Sequence, residues 1–182
     1  NASDDLYALY RSGGISEAKA DAIARAAPGH ADLQGVAILY AKNHDADTIS
    51  AYIHAISASK PKSSQLDLFG RDDAWQQEAD AIAKAVVAIQ GEIRAEYSAL
   101  RAAKTAGKEK YASVLKQYGF KAGDAKKVEA RIELLARELD SWERWATDPQ
   151  KVAQAKERAG IEPQPEPAPS EPVQEDTTAA PQ

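Results

Sequence analysis

The sequence predicts an all-α fold. The composition leans on Ala, Glu, Lys, Gln and Leu, residues that lose little freedom in a helix. No segment alternates apolar and polar residues with period two for long enough to make a strand, and apolar residues recur instead at spacings of three, four and seven. The pattern divides into a small helical bundle at 4–58, a linker at 59–72, a long antiparallel helical hairpin at 73–160 and a disordered tail at 161–182.

In the first module, Leu6, Leu9 and Tyr10 form the apolar face of a short helix that stops at Gly13-Gly14. Ser16 is placed to cap the next helix, in which Ala20, Ile23, Ala24 and Ala27 recur at helical spacing until Pro28-Gly29 ends it. Leu33, Val36, Ala37 and Tyr40 give a third helix. Asp47 or Thr48 is read as the cap of a fourth, carrying Ile49, Tyr52, Ile53 and Ile56. Helices this short are stable only by burying their faces against one another.

The second module opens with a long helix. Trp75, Ala79, Ile82, Val86, Ile89, Ile93 and Leu100 make a seam close to the coiled-coil period. A break is expected at Ala106-Gly107. Tyr111, Val114, Leu115 and Tyr118 then form a short helix that ends at Gly119, and Gly123-Asp124 leads into another. Val128, Ile132, Leu135, Leu139 and Trp142 repeat the heptad spacing there, with Leu134 and Trp145 beside them. The simplest packing is an antiparallel hairpin with the short lysine-rich helix at its tip. Thr147-Asp148-Pro149 reads as a cap followed by proline at the first helical position, and the last helix fades at Gly160. From Glu162 onward Val173 is the only large apolar residue, too little to offset the entropy of ordering.

Composition narrows the chemistry. The 182 residues include no cysteine, which excludes disulfides, thiolate metal sites and a cysteine nucleophile. They include no methionine and begin at Asn1, so the chain is expected to be a processed or excised piece of something longer, with Asn1-Ala2 a cloning remnant. No apolar run approaches a membrane span and no signal peptide is read, so the expected location is the cytoplasm, with no membrane partner.

No catalytic residue, cofactor or metal is expected. His30 and His44 follow turn residues and are read in exposed turns, and His54 sits on the fourth helix, without His-x-x-x-His or His-x-x-Glu spacing. Gly13-Gly14 lacks the following Lys-Ser or Lys-Thr of a phosphate loop. Glu92 and Glu96 have helix-surface spacing without a second helix bearing Glu-x-x-His. Trp142 and Trp145 suit base stacking in principle, but their place at the end of a core-facing seam favours packing.

A net charge of −5 argues against a whole-surface grip on nucleic acid. A local basic surface is nevertheless offered by Lys104, Lys108, Lys110, Lys116 and Lys121, with Lys126 and Lys127 following. They read either as a solvated helix-turn surface or as direct contacts to DNA.

The linker carries Gln65-Leu66-Asp67-Leu68-Phe69 after Lys60-Pro61-Lys62-Ser63-Ser64. Three large apolar side chains in a polar linker need a place to be buried, either against the chain's own helices or in pockets on a partner. The pentapeptide resembles, at all five positions, the motif by which bacterial replication and repair proteins dock on the DNA polymerase sliding clamp. The resemblance implies that Gln65 enters a small polar pocket while Leu66, Leu68 and Phe69 fill an apolar groove.

The run from Asp5-Leu6-Tyr7-Ala8-Leu9-Tyr10 through Gly13-Gly14-Ile15-Ser16 to Ala20, continuing through Ile23-Ala24-Arg25-Ala26-Ala27-Pro28 and Leu33-Gln34, resembles the segment after the helix-turn-helix of ParB-like proteins. The likeness is to ParB-like (DdrB-like) regions of large polyvalent phage and plasmid proteins. The stretch from Asp67-Leu68-Phe69-Gly70 to Trp142-Glu143-Arg144-Trp145 is similar to the region that follows in those chains. No counterpart of the family's nucleotide-binding domain is read here, and its recognition helix-turn-helix is expected upstream of Asn1. The resemblance therefore implies a non-enzymatic interaction module of a mobile-element DNA-maintenance protein, partnered by the sliding clamp and by other domains of its parent chain, with DNA contact indirect. A structural or oligomerisation role, with the 75–100 seam paired to a second copy, remains the alternative.

Overall fold

The computed structural model describes residues 2–59, 73–121 and 123–161, which form eight α-helices and one 3₁₀ turn, with no strand among the described residues. The helices are α1 (Asp4–Arg11), α2 (Glu17–Ala26), α3 (Ala31–Ala41), α4 (Ala46–Ser59), α5 (Asp73–Thr105), α6 (Lys108–Gln117), α7 (Ala125–Glu143) and α8 (Pro149–Arg158), with the 3₁₀ turn at Trp145–Thr147.

Local chemistry sets most of the boundaries. The Ser3 hydroxyl accepts the Leu6 N–H to start α1. Gly13 follows it at φ 74°, a conformation that other residues adopt only with strain. Gly119 (φ 78°) plays the same part after α6. Asp148 accepts from Gln150 N–H at 3.0 Å, with Pro149 at the first position of α8. Ser16 stands at the N-cap of α2, but its side chain makes no capping bond there.

The start of α4 differs from the sequence expectation. The helix begins at Ala46, and the Ile49 N–H donates to the Asp45 carbonyl at 3.0 Å. Asp45 is thus the boundary residue, and Asp47 and Thr48 lie inside the first turn. Asp47 acts there as a negative charge beside the positive helix end.

The core is continuous across the two halves of the chain. Leu6, Ile23, Ile49, Ile53 and Ile56 belong to the same buried cluster as Ile82, Val86, Leu100, Leu135 and Trp142. The α4–α5 pair makes the most extensive helix–helix contact. Three contacts fix the sense of α7 against α5: the Gln90 side chain donating to the Trp142 carbonyl (3.1 Å), and the side-chain pairs Glu96 with Arg131 and Lys104 with Glu129 (3.0 Å). Positions rise along α5 as they fall along α7, so the two run antiparallel. The Glu96–Arg131 contact is bidentate, with both N–H···O distances 2.7 Å. Helix α8 returns against α5, where Lys156 reaches Glu78 (3.2 Å) and Arg158 pairs with Glu92.

Two apolar assignments change in three dimensions. Tyr10, read on the apolar face of α1, is 42% exposed, and Leu134, read beside the seam of α7, is 52% exposed. One polar residue moves the other way. Gln34 is fully buried, where its Oε1 accepts from Ser3 N–H (2.6 Å) and its Nε2 donates to the Ala27 carbonyl (2.7 Å). A single side chain thereby ties the start of α1 and the end of α2 to α3.

Candidate functional site

Gln65, Leu66, Asp67, Leu68 and Phe69 lie outside the described residues. Their setting follows from the helices on either side. The segment leaves α4 after Ser59 and enters α5 at Asp73, and these two helices pack on each other.

The lysines named from the sequence gather at the far end of α5. Lys104 stands in its last turn, Lys108, Lys110 and Lys116 on α6, and Lys121 in the turn before α7; all five are exposed. Tyr111, Val114, Tyr118 and Phe120 are half-buried and Leu115 is buried, which holds α6 on the core and leaves its lysines outward. Two acids temper the charge nearby. Lys104 pairs with Glu129 at 3.0 Å and Lys127 with Asp124 at 3.2 Å. The Lys121 backbone N–H and the Lys127 ammonium hold the Asp124 carboxyl below the usual carboxylate range.

A cluster that sequence reasoning missed joins the first half of the chain to α5. The rings of His44, Tyr40 and Tyr52 stack, with centroids 3.7 Å apart between His44 and Tyr40 and 3.8 Å between Tyr40 and Tyr52. The Tyr40 hydroxyl donates to Asp80 Oδ1 at 2.6 Å, and Lys84 Nζ reaches Asp80 Oδ2 at 2.7 Å. His44 Nδ1 lies 2.9 Å from the Tyr40 carbonyl, which makes that nitrogen the donor, and Nε2 faces Asp80 Oδ1 at 3.7 Å. His44 is therefore a half-buried member of a packed stack, not a residue of an open turn. Partial burial raises the Asp80 pKa, but the bonds from Lys84 and Tyr40 outweigh it and leave the group below its ordinary value. Burial and the Asp80 bond push the Tyr40 phenol far up, so it stays a donor at any ordinary pH. The i, i+4 spacing of Tyr40 and His44 was visible in the sequence, but the partners Tyr52 and Asp80 come from other helices.

His30 is exposed at the start of α3 and its side chain makes no capping bond. His54 borders a cleft of about 190 Å³ between α4, α5 and the end of α7, with Asp47, Ser50, Arg94 and Glu143 around it. Burial lowers its pKa. Trp142 and Trp145 form the inner wall of that cleft. At 0% and 2% exposure they are core residues with no face open for stacking a base. Lys151 Nζ sits 4.4 Å from the Trp142 ring centroid, a cation–π contact made within the chain. Among the described residues no group of His, Cys, Asp or Glu has the geometry to hold a metal ion, and no helix is long and apolar enough to cross a membrane.

Comparison with family models, with curated proteins and with solved structures finds no match to this chain.

Proposed function

We propose that the chain is a non-enzymatic helical interaction module of a phage or plasmid DNA-maintenance protein, working in the bacterial cytoplasm and docking on the replication sliding clamp through Gln65–Phe69. The observation that carries this reading is the pentapeptide itself, Gln-Leu-Asp-Leu-Phe, with a match to the clamp-docking pattern at every position. Its setting adds support. A peptide that binds as an extended segment works best when both its ends are anchored to a rigid body, because less freedom is then lost on binding. Helices α4 and α5 supply that body, since they flank the segment and pack on each other. The ParB-like likeness of the first half points to the same context of DNA maintenance, as a unit that supports or connects neighbouring domains of a parent chain.

The structural alternative, pairing of two copies through the α5 seam, has less surface to draw on. Ile82, Val86, Ile89, Ile93 and Leu100 are all buried within one chain.

The test is binding of the whole chain to purified bacterial sliding clamp by surface plasmon resonance, beside a Leu68→Ala/Phe69→Ala variant. A few central apolar anchors dominate such grooves, so the expected result is roughly micromolar binding that the variant loses while keeping its helical circular dichroism. Absence of binding by the folded wild-type chain refutes the reading. A variant that unfolds assigns Leu68 and Phe69 to the chain's own packing instead.

A further inference from the structure

We infer that the α6 tip is a docking surface for the phosphate backbone of double-stranded DNA, read by charge and not by sequence. The first ground is the separation of charge. Residues 104–127 hold seven lysines against Glu109 and Asp124, a local charge of +5 in a chain of −5, while the other described residues together carry −6. A polyanion approaching this chain is repelled by most of it and attracted at one end, which is how a net-acidic protein orients on nucleic acid.

The second ground is geometry. The end of α5, all of α6 and the start of α7 are brought together by Tyr111 and Leu115 of α6 and by Tyr118 and Phe120 just after it, so lysines spread over two dozen positions share one end of the molecule. All seven are exposed. Lys104 and Lys127 are engaged by Glu129 and Asp124. Lys108, Lys110, Lys116, Lys121 and Lys126 have no ion pair among the described residues. Unpaired ammonium groups on flexible stems make point-charge contacts to phosphates without the bidentate geometry by which arginine reads guanine. No arginine lies between 104 and 127. The surface is thus better suited to backbone contact than to base readout.

The experiment is fluorescence anisotropy of the whole chain with a labelled 24-base-pair duplex, in KCl from 20 to 200 mM. With about four phosphates neutralised, log K falls against log [salt] with a slope near −3 to −4. The Lys108→Gln/Lys110→Gln/Lys116→Gln variant is expected to bind at least tenfold more weakly and to lose about three from the magnitude of that slope. A Lys42→Gln/Arg137→Gln control, which removes two exposed cations elsewhere, is expected to bind as the wild type does, and so is Leu68→Ala/Phe69→Ala, which keeps the inference separate from clamp docking. No duplex binding at 20 mM salt overturns the inference, as does an equal loss in the control. Binding to vesicles of phosphatidylcholine and phosphatidylserine without binding to the duplex overturns it too, in favour of a membrane surface.

Discussion

Tyr40→Phe isolates the polar contact that holds the first half of the chain to α5. The substitution keeps the ring, and with it the stack on His44 and Tyr52, and removes only the hydroxyl that donates to Asp80 at 2.6 Å. A hydrogen bond to a charged acceptor contributes about 1.5–3 kcal/mol. The lower end applies here, because the Asp80 side chain keeps 28% exposure and retains Lys84 as a partner. The expected loss is therefore about 1.5 kcal/mol, measured by urea denaturation with tryptophan fluorescence as the probe. A cycle with Asp80→Ala should show a coupling of about 1–1.5 kcal/mol between the two positions. The pH dependence gives an independent check. Asp80 titrates below its ordinary value in the folded chain, so its contribution is present above about pH 3.8 and is lost as pH falls through the lower folded value. Removing the Tyr40 hydroxyl raises the folded value and makes this acid limb shallower. A Tyr40→Phe chain within about 0.3 kcal/mol of wild type, or a coupling near zero, would refute the reasoning and show that the packing of α4 on α5 joins the two halves without help from this hydrogen bond.

Three further outcomes are expected. Gln34→Leu should cost about 1–3 kcal/mol in denaturant, because Ser3 N–H loses its acceptor and the Ala27 carbonyl loses its 2.7 Å donor, keeping the longer 3.3 Å bond from His30 N–H; a neutral or stabilised variant would show that the buried amide contributes nothing. The burial that lowers the His54 pKa makes the unfolded chain take the proton first, so stability is full above about pH 6.5 and declines below it; His54→Gln should flatten that decline, and an unchanged melting-temperature profile between pH 7 and pH 5 would count against it. Arg131→Lys should lose the fork on Glu96 and cost about 0.5–1 kcal/mol at low salt, less at 0.5 M NaCl, as read from denaturation midpoints.

What could be read from the sequence was what local chemistry decides. The all-α class followed from periodicity, and helix ends were legible where a residue with one special property stood there: Gly13 and Gly119 at positive φ, Asp148 with Pro149. The start of α4 was not legible, because Asp45, Asp47 and Thr48 are all acceptable near a helix N-terminus and only the Asp45 carbonyl's bond to Ile49 decides among them. Side chains whose surroundings come from distant positions were misread in both directions. Gln34, in an alanine-rich helix, gave no sign that it is buried, and Leu134, beside a heptad seam, gave no sign that it is not. The same limit explains the Tyr40–Asp80 joint, where the partners stand forty positions apart. For the candidate sites, the sequence named the lysines and read them at one tip, and the fold added which of them acids engage: Lys104 by Glu129 and Lys127 by Asp124.

The two proposed contacts place α5 between them. It runs 33 residues, about 50 Å at 1.5 Å per residue. Its first residue follows the segment that holds Gln65–Phe69, and its last turn carries Lys104 at the basic tip. The seam of α5 is buried along most of its length against α4, α7 and α8, and Glu96–Arg131 and Lys104–Glu129 brace it from the side. A helix packed in this way does not bend freely, so Asp73 at its start and Lys104 in its last turn are held at a nearly fixed separation. Two weak contacts on one rigid spacer reinforce each other only when both partners can be reached at that separation. Joint binding of clamp and DNA should therefore weaken sharply if a flexible Gly-Ser insertion interrupts α5 after Tyr97, while each separate contact persists. Joint affinity unchanged by the insertion would mean that the two ends act independently and that α5 serves only to build the core.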